Sequence, residues 1–137
     1  MILIGDIGNT ETKICLINSN YKILKRIILP TKKVTKSNLY RNLALIGGKK
    51  FLIEKSLFSS VVPKKFLMIK SILKKKFKIQ CAELKNLNLK KIMKINVNRK
   101  QIGSDRLANS IAVISKKNNF IILDFGTATT FDVVIGK

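Results

Sequence analysis

Residues 2–17 read ILIGDIGNTETKICLI, two apolar runs separated by a short polar segment that contains a glycine. The pattern predicts a strand over Ile2–Gly5, a turn, and a second strand over Thr12–Ile17. Another turn at Asn18–Asn20 leads into YKILKRIILP, which predicts a third strand ended by Pro30. Three strands joined by such short turns favour an antiparallel meander.

Helices and strands alternate after the meander. The predicted elements are a helix over Lys36–Ile46 stopped by Gly47 and Gly48, a strand in SLFSSVVP, a helix over Lys64–Lys76, a strand in FKIQCAEL parallel to its predecessor, a helix over Ser104–Ser115, and a closing hairpin over NNFIILDFG and TATTFDVVIG. The GGKK stretch at Gly47 lacks the spacing of a phosphate-binding P-loop, so we interpret it as a helix stop. We place the lysines Lys74–Lys76 at a helix end, where cations favour the helix dipole.

The order βββαβαβα followed by a hairpin is that of an RNase H-like domain of the α/β class. We therefore predict a mixed sheet of about five strands, with the first three antiparallel, flanked by helices. We assign residues 1–118 to this domain and residues 119–137 to the first hairpin of a second such domain. Because the sequence stops in the middle of that second unit, we expect a truncated product or half of a split protein.

Composition limits the class of protein. With 137 residues, of which 46% are hydrophobic, the chain is long enough for about one domain with a real core. We find no apolar run long enough for a membrane span and no secretion signal. Cys15 and Cys81 have no metal-ligand spacing, and the chain has no histidine, so we expect reduced thiols in a cytoplasmic protein and no structural zinc.

The net charge of +21 is the most extreme feature of the composition, with 28 Lys and Arg against seven Asp and Glu. Such a charge is typical of nucleic-acid-binding proteins. However, the lysines are spread along the chain, aromatic residues do not interleave with them, and Lys, Ile and Asn are the residues that AT-rich codons encode. We therefore expect no sequence-specific nucleic-acid binding. Seven acidic residues also leave few ligands for a nuclease metal centre.

Two segments share one arrangement, an apolar run followed by Asp, Gly and threonines. They are DIGNTETK at Asp6–Lys13 and DFGTATTFD at Asp124–Asp132. A glycine turn lets backbone N–H groups approach a phosphate closely, while Asp6 can hold Mg²⁺ through water and Lys13 supplies a point charge. Each segment alone also fits an ordinary hairpin with an Asx-type turn. Two copies at strand ends favour a nucleotide site.

A third segment, IGSDRLANSIAV, places Asp105 and Arg106 at the start of an apolar helix, directly after Gly103 and Ser104. One interpretation is a helix N-terminus with an acidic first turn. The other is chemical: Asp105 accepts a hydroxyl proton while Arg106 binds a carboxylate of the same substrate through two hydrogen bonds. Both interpretations remain open on this segment alone.

Four motifs together resemble the type III pantothenate kinases, a family of the acetate kinase/sugar kinase/Hsp70/actin superfamily. They are DIGNTETK, SSVVP at Ser59–Pro63, GSDR at Gly103–Arg106 and DFGTATTFD, in the order and spacing of the family. The resemblance implies ATP-dependent phosphorylation of pantothenate to 4'-phosphopantothenate, the first step of coenzyme A biosynthesis. It also implies a homodimer, Mg²⁺ and a monovalent cation, K⁺ or NH₄⁺.

The resemblance also implies roles for single residues. Asp105 would be the catalytic base, Asp124 would hold the monovalent cation, and Asp6 would hold Mg²⁺ through water. The implied ATP-binding residues are Asp6, Ile7, Gly8, Asn9, Thr10, Glu11, Thr12, Lys13 and Thr127. The implied pantothenate-binding residues are Asn96, Gly103, Ser104, Asp105 and Arg106.

The chain departs from the family pattern in sequence and in length. Asn96 stands where the family usually carries a tyrosine that contacts pantothenate, and Arg99 replaces a proline of the same segment. Family members are about twice as long, so most of a second domain would be missing. A kinase is the function that we expect; the alternatives are an inactive relative with a regulatory or binding role, and a basic nucleic-acid-binding domain.

Overall fold

The computed structural model describes residues 1–46 and 52–136. The strands are β1 (Ile2–Ile7), β2 (Glu11–Ile17), β3 (Ile23–Pro30), β4 (Lys55–Ser60), β5 (Cys81–Glu83), β6 (Phe120–Phe125) and β7 (Thr129–Val134). The α-helices are α1 (Lys36–Ile46), α2 (Pro63–Phe77) and α3 (Ser104–Val113), and short 3-10 turns cover Thr31–Lys33, Leu84–Asn86 and Leu89–Lys91. The predicted helix stop at Gly47 and Gly48, and the GGKK stretch, lie outside the described residues.

Five strands form one mixed sheet in the order β3-β2-β1-β4-β5. The pairs β1–β2 and β2–β3 are antiparallel, which confirms the predicted meander. The pairs β1–β4 and β4–β5 are parallel, because a helix separates each strand from its predecessor and returns the chain to the same end of the sheet. The predicted α/β class and mixed sheet of about five strands are confirmed.

Helices lie on both faces of this sheet. Phe58 of β4 packs into one buried cluster with side chains of α1 and α2, such as Leu39 and Ile69. Its neighbour Leu57 packs against a second cluster around Leu107 of α3. Since successive side chains of a strand point to opposite faces, α1 and α2 cover one face and α3 the other.

Some element boundaries differ from the predicted ones. The strand predicted in FKIQCAEL shortens to Cys81–Glu83, because Phe77 still belongs to α2 and Leu84 begins a 3-10 turn. Helix α3 ends at Val113, two residues before the predicted Ser115. Lys74–Lys76 do lie in the last turn of α2, as predicted.

The strands β6 and β7 form a separate two-stranded sheet that contacts α3. The predicted closing hairpin is therefore present. No helix in the described ranges is long and apolar enough to cross a membrane.

Gly5 lies directly against the ring of Phe58. It is the register partner of Phe58 across β1 and β4, and a Cβ atom at Gly5 would lie 2.1 Å from Cε1 of the Phe58 ring. Phe58 is fully buried, so the ring has no open space into which it could move. We expect Gly5→Ala to lower the free energy of unfolding by about 1–3 kcal/mol, measured by urea denaturation.

A double-mutant cycle identifies the cause of that loss. Combining Gly5→Ala with Phe58→Leu should destabilise the chain by less than the sum of the single variants, because the smaller side chain makes room for the new methyl group. Equal denaturation midpoints for wild type and Gly5→Ala would show that this contact does not restrict position 5.

Candidate functional site

The two Asp-Gly-Thr segments meet in space. Thr10 Oγ1 and Thr127 Oγ1 lie 3.2 Å apart, although 117 positions separate them in the sequence. Each segment is a tight turn between antiparallel strands: Gly8 N donates to Glu11 O in the first, and Gly126 N donates to Ala128 O in the second. Both segments are therefore hairpins, and the two hairpin turns also face each other, as a shared anion site requires.

In the first turn, DIGNTETK, the buried and the exposed residues make different kinds of contact. Thr12 is fully buried and its hydroxyl lies 3.0 Å from that of Thr31, which in turn donates to the carbonyl of Gly8. Ile7 is also fully buried. These residues hold the turn in shape rather than face a ligand.

The exposed side of the turn carries Asn9, Thr10, Glu11 and Lys13. Glu11 Oε2 and Lys13 Nζ lie 3.5 Å apart, with both side chains about half exposed. An exposed pair of this kind is worth little to stability, so the ammonium of Lys13 can exchange Glu11 for a stronger anion such as a phosphate.

Asp6 lies at the carboxyl end of β1, beside Ser59 of β4. Neighbouring protein atoms remove part of its hydration and raise the pKa of the Asp6 carboxyl, and the negative charges of Asp105 and Asp124 raise it further. Lys13 and the nearby Ser59 hydroxyl act in the opposite direction. Ser59 Oγ nevertheless makes no hydrogen bond of ordinary geometry to the residues described. Carboxylates from three separate segments thus influence one another here.

A cation would relieve this excess of negative charge. Among the residues that the structure describes, no group of three His, Cys, Asp or Glu side chains has the geometry of a metal centre. Mg²⁺ at phosphate-transfer sites usually needs only one or two carboxylates, with water and phosphates completing its shell. The donor set around Asp6 fits that mode of binding and does not fit an all-protein metal cage.

The raised pKa of Asp6 has a consequence for stability. The pKa of Asp6 is higher in the folded than in the unfolded state, so protonation of this carboxyl stabilises the fold. This stabilisation is fully present below the unfolded-state pKa and is lost as the pH rises through the folded-state pKa. We therefore expect Asp6→Asn to increase the melting temperature slightly at pH 7, and this increase to shrink as the pH falls through the folded-state pKa. Thermal denaturation of both proteins across that pH range is the measurement. A lower melting temperature for Asp6→Asn at pH 7 would contradict this expectation.

Asp105 lies in the first turn of α3, and Gly103 is the N-cap of that helix. Asp105 Oδ1 accepts a hydrogen bond of 2.8 Å from the backbone N–H of Arg106. The carboxylate folds over Gly103: a Cβ atom there would lie 2.2 Å from Asp105 Oδ1 and 3.5 Å from Cγ1 of Val61. The absence of a side chain at position 103 is therefore what allows this carboxylate position.

Arg106 is bound within the chain. Its Nε donates to both carboxylate oxygens of Asp132, at 2.8 and 3.0 Å, and its Nη2 donates to Asp132 Oδ1 and to Phe131 O. These bonds join α3 to β7, and the hydrogen bond to Asp132 raises the pKa of the guanidinium still further. The resemblance implied that Arg106 binds a carboxylate of the substrate; in this structure its guanidinium binds the carboxylate of Asp132, and its role toward a substrate stays a prediction.

Asp124, Asn96 and Arg99 were also singled out in the sequence. Asp124, at the end of β6, accepts a hydrogen bond of 3.4 Å from Asn109 of α3. Asn96 is exposed in the segment that precedes α3. Arg99 binds that segment to the preceding 3-10 turn, because its guanidinium donates to the carbonyls of Lys85 and Leu87.

A pocket of about 530 Å³ opens beside Gly103. Apolar side chains such as Val61, Phe66, Leu67 and Ile102 line one part of it, and Lys70, Glu83, Lys85 and Gln101 bring polar groups. Ser104 Oγ and Glu83 Oε1 also belong to this lining and have no hydrogen-bond partner among the described residues. Unpaired buried polar atoms in a pocket wall mark places where a polar ligand can bind.

Sequence reasoning assigned no role to Ser59, Glu83, Asn109 or Asp132, although Ser59 was quoted within SSVVP. Asp132 was quoted within DFGTATTFD but received no role, although an acidic residue that alternates with apolar neighbours along a strand is itself a signal of a buried partner. Glu83 and Asn109 carry no local signal, since their positions become meaningful only when β5 and α3 pack in the fold.

Comparison with known proteins agrees with these motifs. A family model described as type III pantothenate kinase matches residues 2–137. The chain is 63% identical over 135 residues to the type III pantothenate kinase of Pelagibacter ubique (strain HTCC1062), covering 98% of this chain and 54% of that protein. It is 35% identical to the type III pantothenate kinase of Desulforapulum autotrophicum, over 100% of this chain and 55% of that protein.

A further relative is the type III pantothenate kinase of Koribacter versatilis, which is 32% identical over 100% of this chain and 56% of its own length. The chain thus spans about half the length of the curated relatives it matches. A family match over nearly every residue, together with these identities, establishes kinship. The chain belongs to the type III pantothenate kinase family.

Proposed function

We propose that this chain carries the phosphate-binding turns and the catalytic base of an ATP-dependent kinase that phosphorylates pantothenate to 4'-phosphopantothenate, the first step of coenzyme A biosynthesis. The observation that carries the proposal is the meeting of Thr10 and Thr127 beside the carboxylates of Asp6, Asp105 and Asp124. The enzyme would work in the cytoplasm as a homodimer, with no specific nucleic-acid partner.

In this proposal the ATP phosphates bind between the two turns. The hydroxyls of Thr10 and Thr127 and the backbone N–H groups near Gly8 and Gly126 supply hydrogen bonds, and Lys13 supplies positive charge. Asp6 would hold Mg²⁺ through water, and this ion would neutralise charge on the transferred phosphoryl group; Asp124 would hold K⁺ or NH₄⁺. Phosphoryl transfer depends chiefly on such positioning and charge neutralisation.

Pantothenate binds in the pocket beside Gly103, with its reacting hydroxyl at Asp105. The apolar wall around Val61 and Phe66 suits the dimethyl group of pantothenate, and the unpaired Ser104 Oγ and Glu83 Oε1 suit its amide and hydroxyl groups. Asp105 takes the proton of the hydroxyl as that oxygen attacks the γ-phosphate of ATP. Unlike Arg106, which is paired with Asp132, Lys70 of the pocket lining is exposed and can bind the substrate carboxylate.

The domain arrangement belongs to the same proposal. Residues 1–118 form an RNase H-like domain of the actin-like ATPase type, and residues 119–137 begin a second one. The sheet of β1 to β5 supports this assignment, because three antiparallel strands are followed by two strands that pair in parallel.

The test of the proposed function is a coupled assay of ADP release with pantothenate as the variable substrate. We would assay the 137-residue chain alone and the chain joined to the unmatched part of the Pelagibacter relative. Turnover that requires pantothenate, ATP and Mg²⁺ in either form would support the proposal. ATP consumption independent of pantothenate, or no turnover in both forms, would refute it.

A further inference from the structure

Thr31 follows β3 directly and makes three hydrogen bonds to the segment DIGNTETK. Its hydroxyl donates to the carbonyl of Gly8 at 2.8 Å, and its backbone N–H donates to the carbonyl of Thr10, also at 2.8 Å. The hydroxyl oxygens of Thr31 and Thr12 lie 3.0 Å apart. Because the one hydroxyl hydrogen of Thr31 goes to Gly8, Thr12 is the donor in this third bond. Thr31 is 3% exposed and Thr12 is fully buried, so water does not replace these bonds.

Thr31 is itself fixed by the core of the domain. Pro30 precedes it with a φ angle of −57°, which the proline ring restricts. The carbonyl of Thr31 accepts a hydrogen bond of 3.2 Å from the N–H of Val34. Val34 is 1% exposed and belongs to the main buried cluster. The core therefore holds Thr31, and Thr31 holds the turn.

The bond to Gly8 also decides the direction of the next backbone N–H. The peptide bond between Gly8 and Asn9 is trans, and the C=O and N–H groups of a planar trans peptide point in opposite directions. The carbonyl of Gly8 points inward to the buried Thr31, so the N–H of Asn9 points outward. Asn9 and Thr10 are exposed on that outer side of the turn.

We propose that Thr31 is a positioning residue for the phosphates of ATP, whose hydroxyl holds the Gly8–Asn9 peptide so that the N–H of Asn9 donates to a phosphate oxygen. This inference rests on the proposed function, since it requires ATP to bind at the turn. Thr31 acts through the turn and does not touch the phosphate. A donor that is already held in its binding orientation loses little free energy to ordering when the ligand binds.

The experiment compares Thr31→Val with Thr31→Ser in the chain joined to the unmatched part of the Pelagibacter relative. Valine has the shape of threonine without the hydroxyl, whereas serine keeps the hydroxyl. Thr31→Val should raise the KM for MgATP by about tenfold, the effect of one lost buried hydrogen bond. The turnover number should change little, because the N–H binds phosphate in the ground state and the transition state alike. The KM for pantothenate should stay at its wild-type value, and Thr31→Ser should restore the KM for MgATP.

Ser56→Ala is the matched control, because it also removes a buried hydroxyl that donates to a backbone carbonyl. Ser56 is 4% exposed, and its Oγ donates to Gln80 O at 2.9 Å. It is the register partner of Leu3 near the beginning of β1, whereas the turn follows the other end of that strand. Ser56→Ala should lower the melting temperature, as Thr31→Val does, and leave the KM for MgATP unchanged.

Hydrogen exchange reports the shape of the turn directly. The N–H of Gly8 donates to Glu11 O at 2.9 Å within the turn, so its exchange rate rises when the turn opens. Thr31→Val should speed this exchange, whereas Thr31→Ser and Ser56→Ala should not.

Three results would overturn the role of Thr31 alone while wild type binds ATP. They are a KM for MgATP in Thr31→Val that equals that of Ser56→Ala, an equal rise of this KM in Thr31→Ser, and an unchanged exchange rate of the Gly8 amide in Thr31→Val. A wild-type protein that binds no ATP would overturn the proposed function together with this inference.

Discussion

Asp105→Asn should lower the turnover number of the proposed pantothenate phosphorylation by about 10²–10⁴-fold, the range typical of a general base. An amide at position 105 cannot accept the hydroxyl proton, but it can keep the hydrogen bond to the backbone N–H of Arg106. ATP affinity should remain close to wild type, because the substitution lies in neither of the two turns proposed to bind phosphate. Coupled ADP release and ATP titration, on the chain joined to the unmatched part of the Pelagibacter relative, measure the two effects.

Gly103→Ala provides a second test of the same carboxylate. Its new methyl group would lie 2.2 Å from Asp105 Oδ1, so the side chain of Asp105 must rotate away while its charge is retained. We expect a loss of turnover with little change in stability, since a flexible side chain relieves the contact.

Asp124→Asn should behave differently, by removing the dependence on K⁺ or weakening ATP binding. Wild-type turnover in Asp105→Asn would show that another group is the base.

Arg106→Met should detach the hairpin from α3. The Asp132 side chain is 10% exposed and that of Arg106 is 33% exposed, so removing the arginine leaves a nearly buried carboxylate without its partner. Breaking a fully buried pair costs about 3–5 kcal/mol, and the partial exposure of Arg106 reduces this to about 2–3 kcal/mol. Asp132→Ala should cost less, because water can reach the guanidinium that remains.

Hydrogen exchange of the β6 and β7 amides is the suitable measurement, because the hairpin lies outside the main core and can open locally without global unfolding. The double variant Arg106→Met with Asp132→Leu should restore much of the protection, since it leaves no unpaired charge. If Arg106→Met leaves the exchange rates unchanged, the guanidinium does not hold the hairpin and is free for a substrate carboxylate.

The sequence by itself determined the order and type of the elements. Strand alternation around Leu3 and Ile14, the glycine turns and the apolar spacing of α2 are patterns of neighbouring residues, and neighbouring residues decide local backbone conformation. The motifs also indicated the family, which the family match over residues 2–137 confirms, whereas the roles predicted for single site residues stay predictions. Strand β5 was predicted too long, since its short length is set by the way that the chain turns beneath α3.

The tertiary structure alone decided which groups meet. Thr10 and Thr127 are 117 positions apart, and Arg106 and Asp132 are 26 apart. Such contacts depend on the register of the sheet and on the docking of α3 and the hairpin, for which no local pattern exists. The fold also separated residues of one motif: it buried Thr12, which lies in β2 with its hydroxyl beside that of Thr31, and exposed Thr10, which lies in the turn before that strand.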